Sequence, residues 1–395
     1  MCGLVWSVHS LKASLHGTRV LTFQQWHWTC FREVGAGVAI GPNALFTLKE
    51  LGVLEVVLAK SDAEGPTMGG FRFISGSGAH ELIYDDSILM ACQPSFLEAI
   101  VPMLDPCLVH MEQRCISVST SSSGTHVLHF ADGSTYEADL VVGADGIKST
   151  LREFVSGQRT SPTYSNSVAY RSVLSPDALK AVKTDIMRPL CWIGNDKHII
   201  TYPVQANQKA VVLTTPKINV VVFSTDYTVP IGSVNVALPW AKPVSQDELL
   251  REYSGWGEDV NIILKEMKDP SKWCIHFLYP PLSSFVRQRV VLVGDAVGSR
   301  HVTSSRFLIR PITPFRQLPQ DVLKAYDSIR VARANMVQKM STIKGNIVDR
   351  RGPGGGSIPQ IQEQLRDIWN PIWHHDLKAE VKRAAESIYG PRGLL

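Results

Sequence analysis

The sequence predicts an α/β fold into which a second, mostly antiparallel sheet is inserted. Two apolar runs, within residues 139–152 and 289–296, each end at a glycine followed closely by an aspartate, Asp145 or Asp295. Each run is typical of a buried strand that stops at a tight turn, and such strand ends form the crevice in which α/β sheets bind nucleotide ligands. Glycine permits the turn, and aspartate accepts hydrogen bonds from sugar hydroxyls. Between the runs, residues 155–285 contain segments rich in valine and isoleucine, which favour strands.

Several local signals place individual strands and helices in the first part of the chain. Residues 19–23 predict a strand, and Asn43 is a candidate cap for a helix that continues to residue 51. Two segments, 95–98 and 245–248, begin with serine and end with glutamate, and each predicts a capping box at the start of a helix. We therefore expect helices and strands to alternate in this part of the chain.

The middle and the end of the chain carry stronger strand and helix signals. The Ala-Asp-Gly-Ser segment at 131–134 predicts a hairpin turn. Apolar, β-branched segments at 197–204, 210–213 and 219–224 predict strands of one sheet. Residues 321–347 predict a long helix.

Composition excludes several classes of protein. The chain has 395 residues, 44% of them hydrophobic, and a net charge of only +4 without a long basic run, so no nucleic acid partner is expected. Seven cysteines without a Cys-x-x-Cys pair and the absence of an Asn-x-Ser/Thr sequon favour a reducing, cytoplasmic setting. No apolar run approaches about 18 residues, so no membrane span is expected. The oligomeric state stays open.

Seven segments of the chain, taken in order, resemble one known family. They are Phe-Arg-Glu-Val-Gly-Ala-Gly-Val-Ala-Ile-Gly-Pro-Asn-Ala-Leu at 31–45, the Asp-Gly segment at 139–152, Val-Ala-Tyr-Arg at 168–171, Gly-Trp at 255–256 and Pro-Ser-Lys-Trp at 270–273, which resemble the family's mid-chain helices, the Gly-Asp segment at 289–296 and the late helix at 326–340. The chain is similar to the FAD-dependent aromatic monooxygenases of the salicylate hydroxylase type, especially the fungal members of secondary metabolism. The resemblance extends over most of the chain.

The resemblance implies a fold, a domain organisation and a reaction. It implies a Rossmann-like FAD-binding domain in two parts, at 1–154 and 286–350, with a substrate-binding sheet at 155–285 and a helical tail at 351–395. The expected reaction uses FAD, NAD(P)H and O2 to hydroxylate a small aromatic or phenolic substrate, and the flavin supplies the oxygen chemistry. No metal site is expected, because His374 and His375 have no further ligand at a suitable spacing.

The same resemblance implies which residues contact the cofactor. Gly3 matches the last glycine of the family's Gly-x-Gly-x-x-Gly loop, which holds the pyrophosphate. Gln24 falls at the position of the acidic residue that binds the adenosine ribose, where an amide binds more weakly than a carboxylate. The full set of implied cofactor-binding residues is Gly3, Gln24, Ala36, Gly37, Asp145, Gly146, Gly294, Asp295 and Ala296.

Two residues match positions that act on the substrate in the fungal dearomatising members. Arg171 and Tyr202 are expected on neighbouring strands of the inserted sheet, where a permanent cation and a hydroxyl would stabilise a phenolate. The alternative interpretation is that both side chains make ordinary contacts at a sheet edge.

The sequence also departs from the family pattern. Only Gly3 of the glycine loop is matched, Gln93 stands where the family has a flavin-contacting arginine, and the residues after Ala296 do not continue the Gly-Asp motif. A second hypothesis is therefore a catalytically impaired relic, or the product of a misread gene, that does not hold FAD.

Overall fold

The computed structural model describes residues 20–23, 38–59, 69–86, 91–93, 99–204, 217–298 and 320–390. Three of the predicted elements, or parts of them, lie outside these residues: the capping box at 95–98, the strand at 210–213 and the first residue of the strand at 19–23.

The strands in these ranges are β1 Val20–Phe23, β2 Val38–Ile40, β3 Arg72–Ser75, β4 Leu82–Asp85, β5 Ala91–Gln93, β6 Cys115–Thr120, β7 His126–Phe130, β8 Thr135–Ala138, β9 Leu140–Gly143, β10 Thr163–Leu174, β11 Leu190–Ile193, β12 Lys197–Val204, β13 Lys217–Thr225, β14 Ala241–Pro243, β15 Ser271–Phe277, β16 Val286–Arg287 and β17 Val290–Leu292. The α-helices in the same ranges are α1 Pro42–Glu50, α2 Leu54–Leu58, α3 Thr150–Ser156, α4 Gln246–Glu252, α5 Glu258–Glu266, α6 Gln320–Val348, α7 Ile358–Leu365, α8 Asn370–Trp373 and α9 Leu377–Tyr389.

These elements confirm most of the local predictions. β12 has the predicted bounds, α6 covers the predicted long helix, and Ser245 caps α4 by accepting a hydrogen bond from the Glu248 amide. Two details were wrong. The segment at 270–273, which the resemblance places in a helix, begins β15 instead, where Lys272 and Trp273 pair with β10. The cap of α1 is Gly41, whose backbone is extended and precedes Pro42 at the first helical position, so Asn43 lies inside the helix.

A small sheet carries both Gly-Asp turns. Its strand order is β1-β9-β17-β16, and β9 is parallel to both β1 and β17. All four residues of β9 and all three of β17 are buried. Because Val141 pairs with Val290 and Val142 with Val291, the two strands end at the same edge of the sheet.

A larger sheet forms the second layer of structure. Within the described residues its order is β14-β15-β10-β13-β12-β11-β3-β4, and every neighbouring pair is antiparallel except β11 and β3. This confirms a mixed α/β fold with a mostly antiparallel sheet. The sheet includes β3 and β4 from the first part of the chain, and the domain boundaries given above stay a prediction.

Alternate residues of the large sheet point to opposite faces, and each face packs against a different hydrophobic core. On one face, Trp192 and Val222 pack with Leu249 of α4 and Val260 of α5. On the other, Val221 belongs to the core that α6, α7 and α8 cover. Of the helices in the described ranges, none combines the length and apolar character required to cross a membrane.

Candidate active site

The first part of the site is the edge of the small sheet where two turns meet. Asp145 follows β9 by two residues, and Asp295 follows β17 by three. Because β9 and β17 are adjacent and parallel, both aspartates lie at the carboxyl edge of one sheet. This is the arrangement that the two sequence segments predicted, and it is the edge at which α/β sheets bind ligands.

Asp145 is a buried residue that organises its own turn. Its side chain is 5% exposed, accepts a hydrogen bond from Ser149 Oγ at 2.6 Å and accepts another from the Leu151 amide at 3.1 Å. Burial raises the pKa of this carboxyl above its ordinary value, while the two hydrogen bonds act in the opposite direction. Ser149 in turn caps α3 by accepting from the Arg152 amide.

Glycines allow the chain to make this turn. Gly146 has a φ of +78°, a conformation that a residue with a side chain rarely adopts. A Cβ on Gly143 would lie 2.9 Å from Leu151 Cδ1 and 3.0 Å from Leu292 Cδ2, so the absence of a side chain lets α3 pack closely on β9 and β17.

Asp295 has the opposite environment. It lies in a single 3₁₀ turn, Gly294–Ala296, in which Gly294 has a φ of +62° and the Val297 amide closes the turn on the Gly294 carbonyl. The Asp295 side chain is exposed, whereas Ala296 is fully buried. The carboxylate of Asp295 is thus accessible to a ligand.

Arg152 joins the two turns. Its guanidinium is fully buried and donates from Nη1 to the Ala296 carbonyl at 3.0 Å and from Nη2 to the Ile147 carbonyl at 2.5 Å, while Nε donates to Thr160 Oγ1 at 3.0 Å. Burial lowers the pKa of Arg152, and the nearby Asp145 opposes that shift. In the sequence, Arg152 supported the assignment of the Asp145-Gly146 turn to the cofactor, but it was not itself among the predicted cofactor-binding residues.

The predicted glycine-loop and ribose contacts cannot be placed. Gly3, Gln24, Ala36 and Gly37 lie outside the described residues.

The second part of the site is a face of the large sheet. Arg171 on β10 pairs with Val221 on β13, and Val221 pairs with Ile200 on β12. Two pairs further along, Asn219 aligns with Tyr202 of β12. Directly paired residues project to the same side, so Arg171 and Tyr202 lie on one face with β13 between their strands. The structure therefore brings the two predicted catalytic residues to the same face.

Arg171 is a half-buried cation beside an aromatic ring. Its guanidinium carbon lies 5.8 Å from the centre of the Trp273 ring, and no acidic side chain of the described residues forms an ion pair with it. Burial lowers the pKa of Arg171, and the nearby Tyr202 acts in the opposite direction. Trp273 was not predicted as a site residue.

Comparison of the chain with known proteins identifies its family. No protein-family profile matches the chain. Salicylate hydroxylase of Pseudomonas putida is 31% identical over 388 residues, which span 90% of this chain and 86% of the relative. The fungal 6-methylsalicylate 1-monooxygenase atA of Aspergillus terreus is 24% identical over 395 residues, spanning 90% of this chain and 83% of the relative.

Solved structures agree with this similarity. The fold is similar to that of a salicylate hydroxylase substrate complex, with a TM-score of 0.77, 24% identity and coverage of 97% of this chain and 95% of that chain. Together with the extended sequence similarity, this shows that the chain belongs to the FAD-dependent aromatic monooxygenases of the salicylate hydroxylase type.

Proposed function

We propose that the chain uses NAD(P)H and O2 to hydroxylate a small aromatic substrate that carries a phenolic or carboxylic oxygen. The observation that carries this proposal is Arg171, a half-buried guanidinium without an acidic partner in the described ranges, on the same sheet face as Tyr202. A half-buried cation of this kind is suited to an anionic oxygen on an aromatic ring.

The described residues are compatible with FAD, the cofactor of this family. Asp295 presents an exposed carboxylate at the carboxyl edge of the small sheet, where it can accept hydrogen bonds from sugar or ribityl hydroxyls. Asp145 already accepts two internal hydrogen bonds, so we assign it to shaping the turn as well as to the cofactor edge. At the same edge, FAD would contact the backbone groups of Gly146, Gly294 and Ala296.

When bound, FAD supplies the activation of O2 and the transfer of one oxygen atom to the ring. In this proposal, Arg171 and Tyr202 hold the substrate oxygen and favour its anionic form, which makes the ring more electron-rich. The apolar side chains between them, Val221 and Ile200, belong to the hydrophobic core that α6, α7 and α8 cover, and this core would help to exclude water from the site.

Similarity to active enzymes supports this function over the relic hypothesis. The chain aligns with 86% of the length of the Pseudomonas putida salicylate hydroxylase and 83% of that of the Aspergillus terreus enzyme. The names of these relatives indicate hydroxybenzoate-type substrates, which contain both a carboxylate and a phenol.

Substitution of Arg171 tests the proposed role. Arg171→Gln is expected to slow product formation from salicylate about tenfold or more, because a charge-assisted hydrogen bond contributes about 1.5–3 kcal/mol. NAD(P)H oxidation without substrate should change little. Arg251→Gln, which replaces an exposed arginine on α4, is the matched control and should behave as the parent protein.

Two outcomes would contradict the proposal. An equal loss of product formation and of substrate-free NAD(P)H oxidation in Arg171→Gln would indicate a general defect. A purified parent protein that stays colourless after incubation with FAD and gel filtration would favour the relic.

A further inference from the structure

A third polar side chain shares the sheet face of Arg171 and Tyr202, and it was not predicted as a site residue. Asn219 on β13 pairs directly with Tyr202 on β12 and with Val173 on β10. Arg171 precedes Val173 by two residues, so both project to the face that also carries Asn219. Three adjacent strands therefore present Tyr202, Asn219 and Arg171 on one face.

The pairing of the strands sets the spacing of these three side chains. In antiparallel sheets, directly paired residues such as Asn219 and Tyr202 have Cβ atoms about 4.5–5.5 Å apart. Diagonal neighbours are roughly 7–8 Å apart, and Asn219 is the diagonal neighbour of Arg171, which pairs with Val221. Oxygen atoms on neighbouring carbons of one aromatic ring can thus reach Asn219 and the Arg171–Tyr202 pair at the same time.

Asn219 is nearly buried, and its amide is available for a hydrogen bond. The residue is 7% exposed. Within the described part of the chain, neither the oxygen nor the nitrogen of its carboxamide forms a hydrogen bond with another residue. A nearly buried amide without a partner is unfavourable, because it has given up water and gained no other contact. A ligand group that accepts a hydrogen bond from Nδ2 would relieve this.

The surroundings of Asn219 leave this part of the face open to a ligand. Val173, on one side of Asn219, is 50% exposed. Tyr202, on the other side, packs at the margin of the hydrophobic core that α6, α7 and α8 cover. Asn219 therefore lies where this core meets the solvent. Its amide offers two N–H donors and carries no charge, so the charge of Arg171 stays available to an anionic ligand.

We propose, on the basis of the function proposed above, that Asn219 is a specificity-determining residue that binds the carboxylate of a 2-hydroxybenzoate-type substrate. Arg171 and Tyr202 hold the phenolic oxygen, and Asn219 Nδ2 donates a hydrogen bond to a carboxylate on the neighbouring ring carbon. A carboxylate on the far side of the ring, as in 4-hydroxybenzoate, points away from Asn219. The site thereby selects the position of the second substituent.

Calorimetric titration of the flavin-loaded protein without NAD(P)H measures substrate binding separately from turnover. The parent protein should bind salicylate about tenfold more tightly than 4-hydroxybenzoate. Asn219→Ala should weaken salicylate binding about tenfold, because one charge-assisted hydrogen bond is lost, and should leave 4-hydroxybenzoate binding unchanged. Asn195→Ala, at an exposed asparagine between β11 and β12, is the matched control and should bind both compounds as the parent does.

Asn219→Ser tests the hydrogen bond with a side chain of nearly the same size as alanine. Its hydroxyl can donate to a carboxylate, so Asn219→Ser should recover part of the preference for salicylate that Asn219→Ala loses. Equal affinity of the parent protein for the two compounds would overturn the proposal, and this result needs no variant. A preference that is unchanged in Asn219→Ala, or an equal loss of affinity for both compounds, would overturn it as well.

Arg171→Gln separates the role of Asn219 from the function on which it depends. Because both compounds carry a phenolic oxygen, Arg171→Gln should weaken the binding of both about tenfold. Unchanged binding of both compounds in Arg171→Gln would contradict the proposed function. Weakened binding of both in Arg171→Gln, together with an unchanged preference in Asn219→Ala, would contradict only the role of Asn219.

Discussion

Two aspartates at the ends of adjacent strands occupy opposite environments. Asp145 is 5% exposed and its carboxylate accepts hydrogen bonds from Ser149 and Leu151, whereas Asp295 is exposed in a single 3₁₀ turn. Similar local sequence therefore produces a closed turn in one case and an open one in the other. The difference separates a residue that builds the edge of the sheet from one that can meet a ligand there.

The two environments are physically coupled through one side chain. Arg152 belongs to the turn of Asp145 and donates to the carbonyl of Ala296 in the turn of Asp295. The closed turn thereby positions the open one. Substitutions in the closed turn should therefore lower stability, and substitution in the open turn should act on the cofactor.

Arg152→Met is expected to have the largest effect on stability. It removes the donors to Ala296, Ile147 and Thr160, and it leaves buried carbonyls unpaired, which should lower the free energy of unfolding by about 3 kcal/mol. Urea denaturation followed by circular dichroism measures the change. Arg159→Met, at an exposed neighbouring position, is the control, and a similar loss there would contradict the specific role of Arg152.

Asp145→Ala is expected to have the next largest effect. It leaves the Ser149 hydroxyl and the Leu151 amide without their acceptor in a buried turn, so the free energy of unfolding should fall by about 2 kcal/mol near pH 7. Asp132→Ala is the matched control, because Asp132 accepts from the Ser134 amide in an exposed hairpin turn. The control should lose less stability than Asp145→Ala in the same denaturation experiment.

The stability that Asp145 contributes should also depend on pH. Because burial raises its pKa in the folded protein, the folded state binds the proton more tightly than the unfolded chain does. The contribution is therefore fully present below the ordinary value of 3.8 and declines as pH rises through the folded-state pKa. The stability difference between the parent and Asp145→Ala should shrink over this range, and a difference that grows with pH would contradict the pKa direction.

Much of the fold could be predicted because the relevant signals are local. The apolar residues of β12 and the capping serine of α4 identify these elements without knowledge of the rest of the chain. The cap of α1 was misplaced because Gly41 needs no side chain to begin a helix when Pro42 follows. A helix that begins at a glycine without a side-chain cap is harder to recognise in the sequence than a helix that is capped by a serine or an asparagine.

The site was less accessible to sequence reasoning because its contacts are long-range. Arg152 and Ala296 are 144 positions apart, and only the pairing of β9 with β17 brings them together. Similarly, the shared face of Arg171 and Tyr202 depends on the register of β10, β13 and β12.

Asp295→Asn is expected to have the smallest effect on stability and the most specific effect on FAD. An exposed substitution of this kind changes the free energy of unfolding by within about 0.5 kcal/mol. The amide accepts a hydroxyl more weakly than the carboxylate, so FAD should dissociate faster, by about tenfold for a lost charge-assisted bond. Flavin fluorescence after dilution measures that rate. Asp269→Asn, at another exposed carboxylate, should leave the rate unchanged, and an unchanged rate in Asp295→Asn itself would remove Asp295 from the cofactor site.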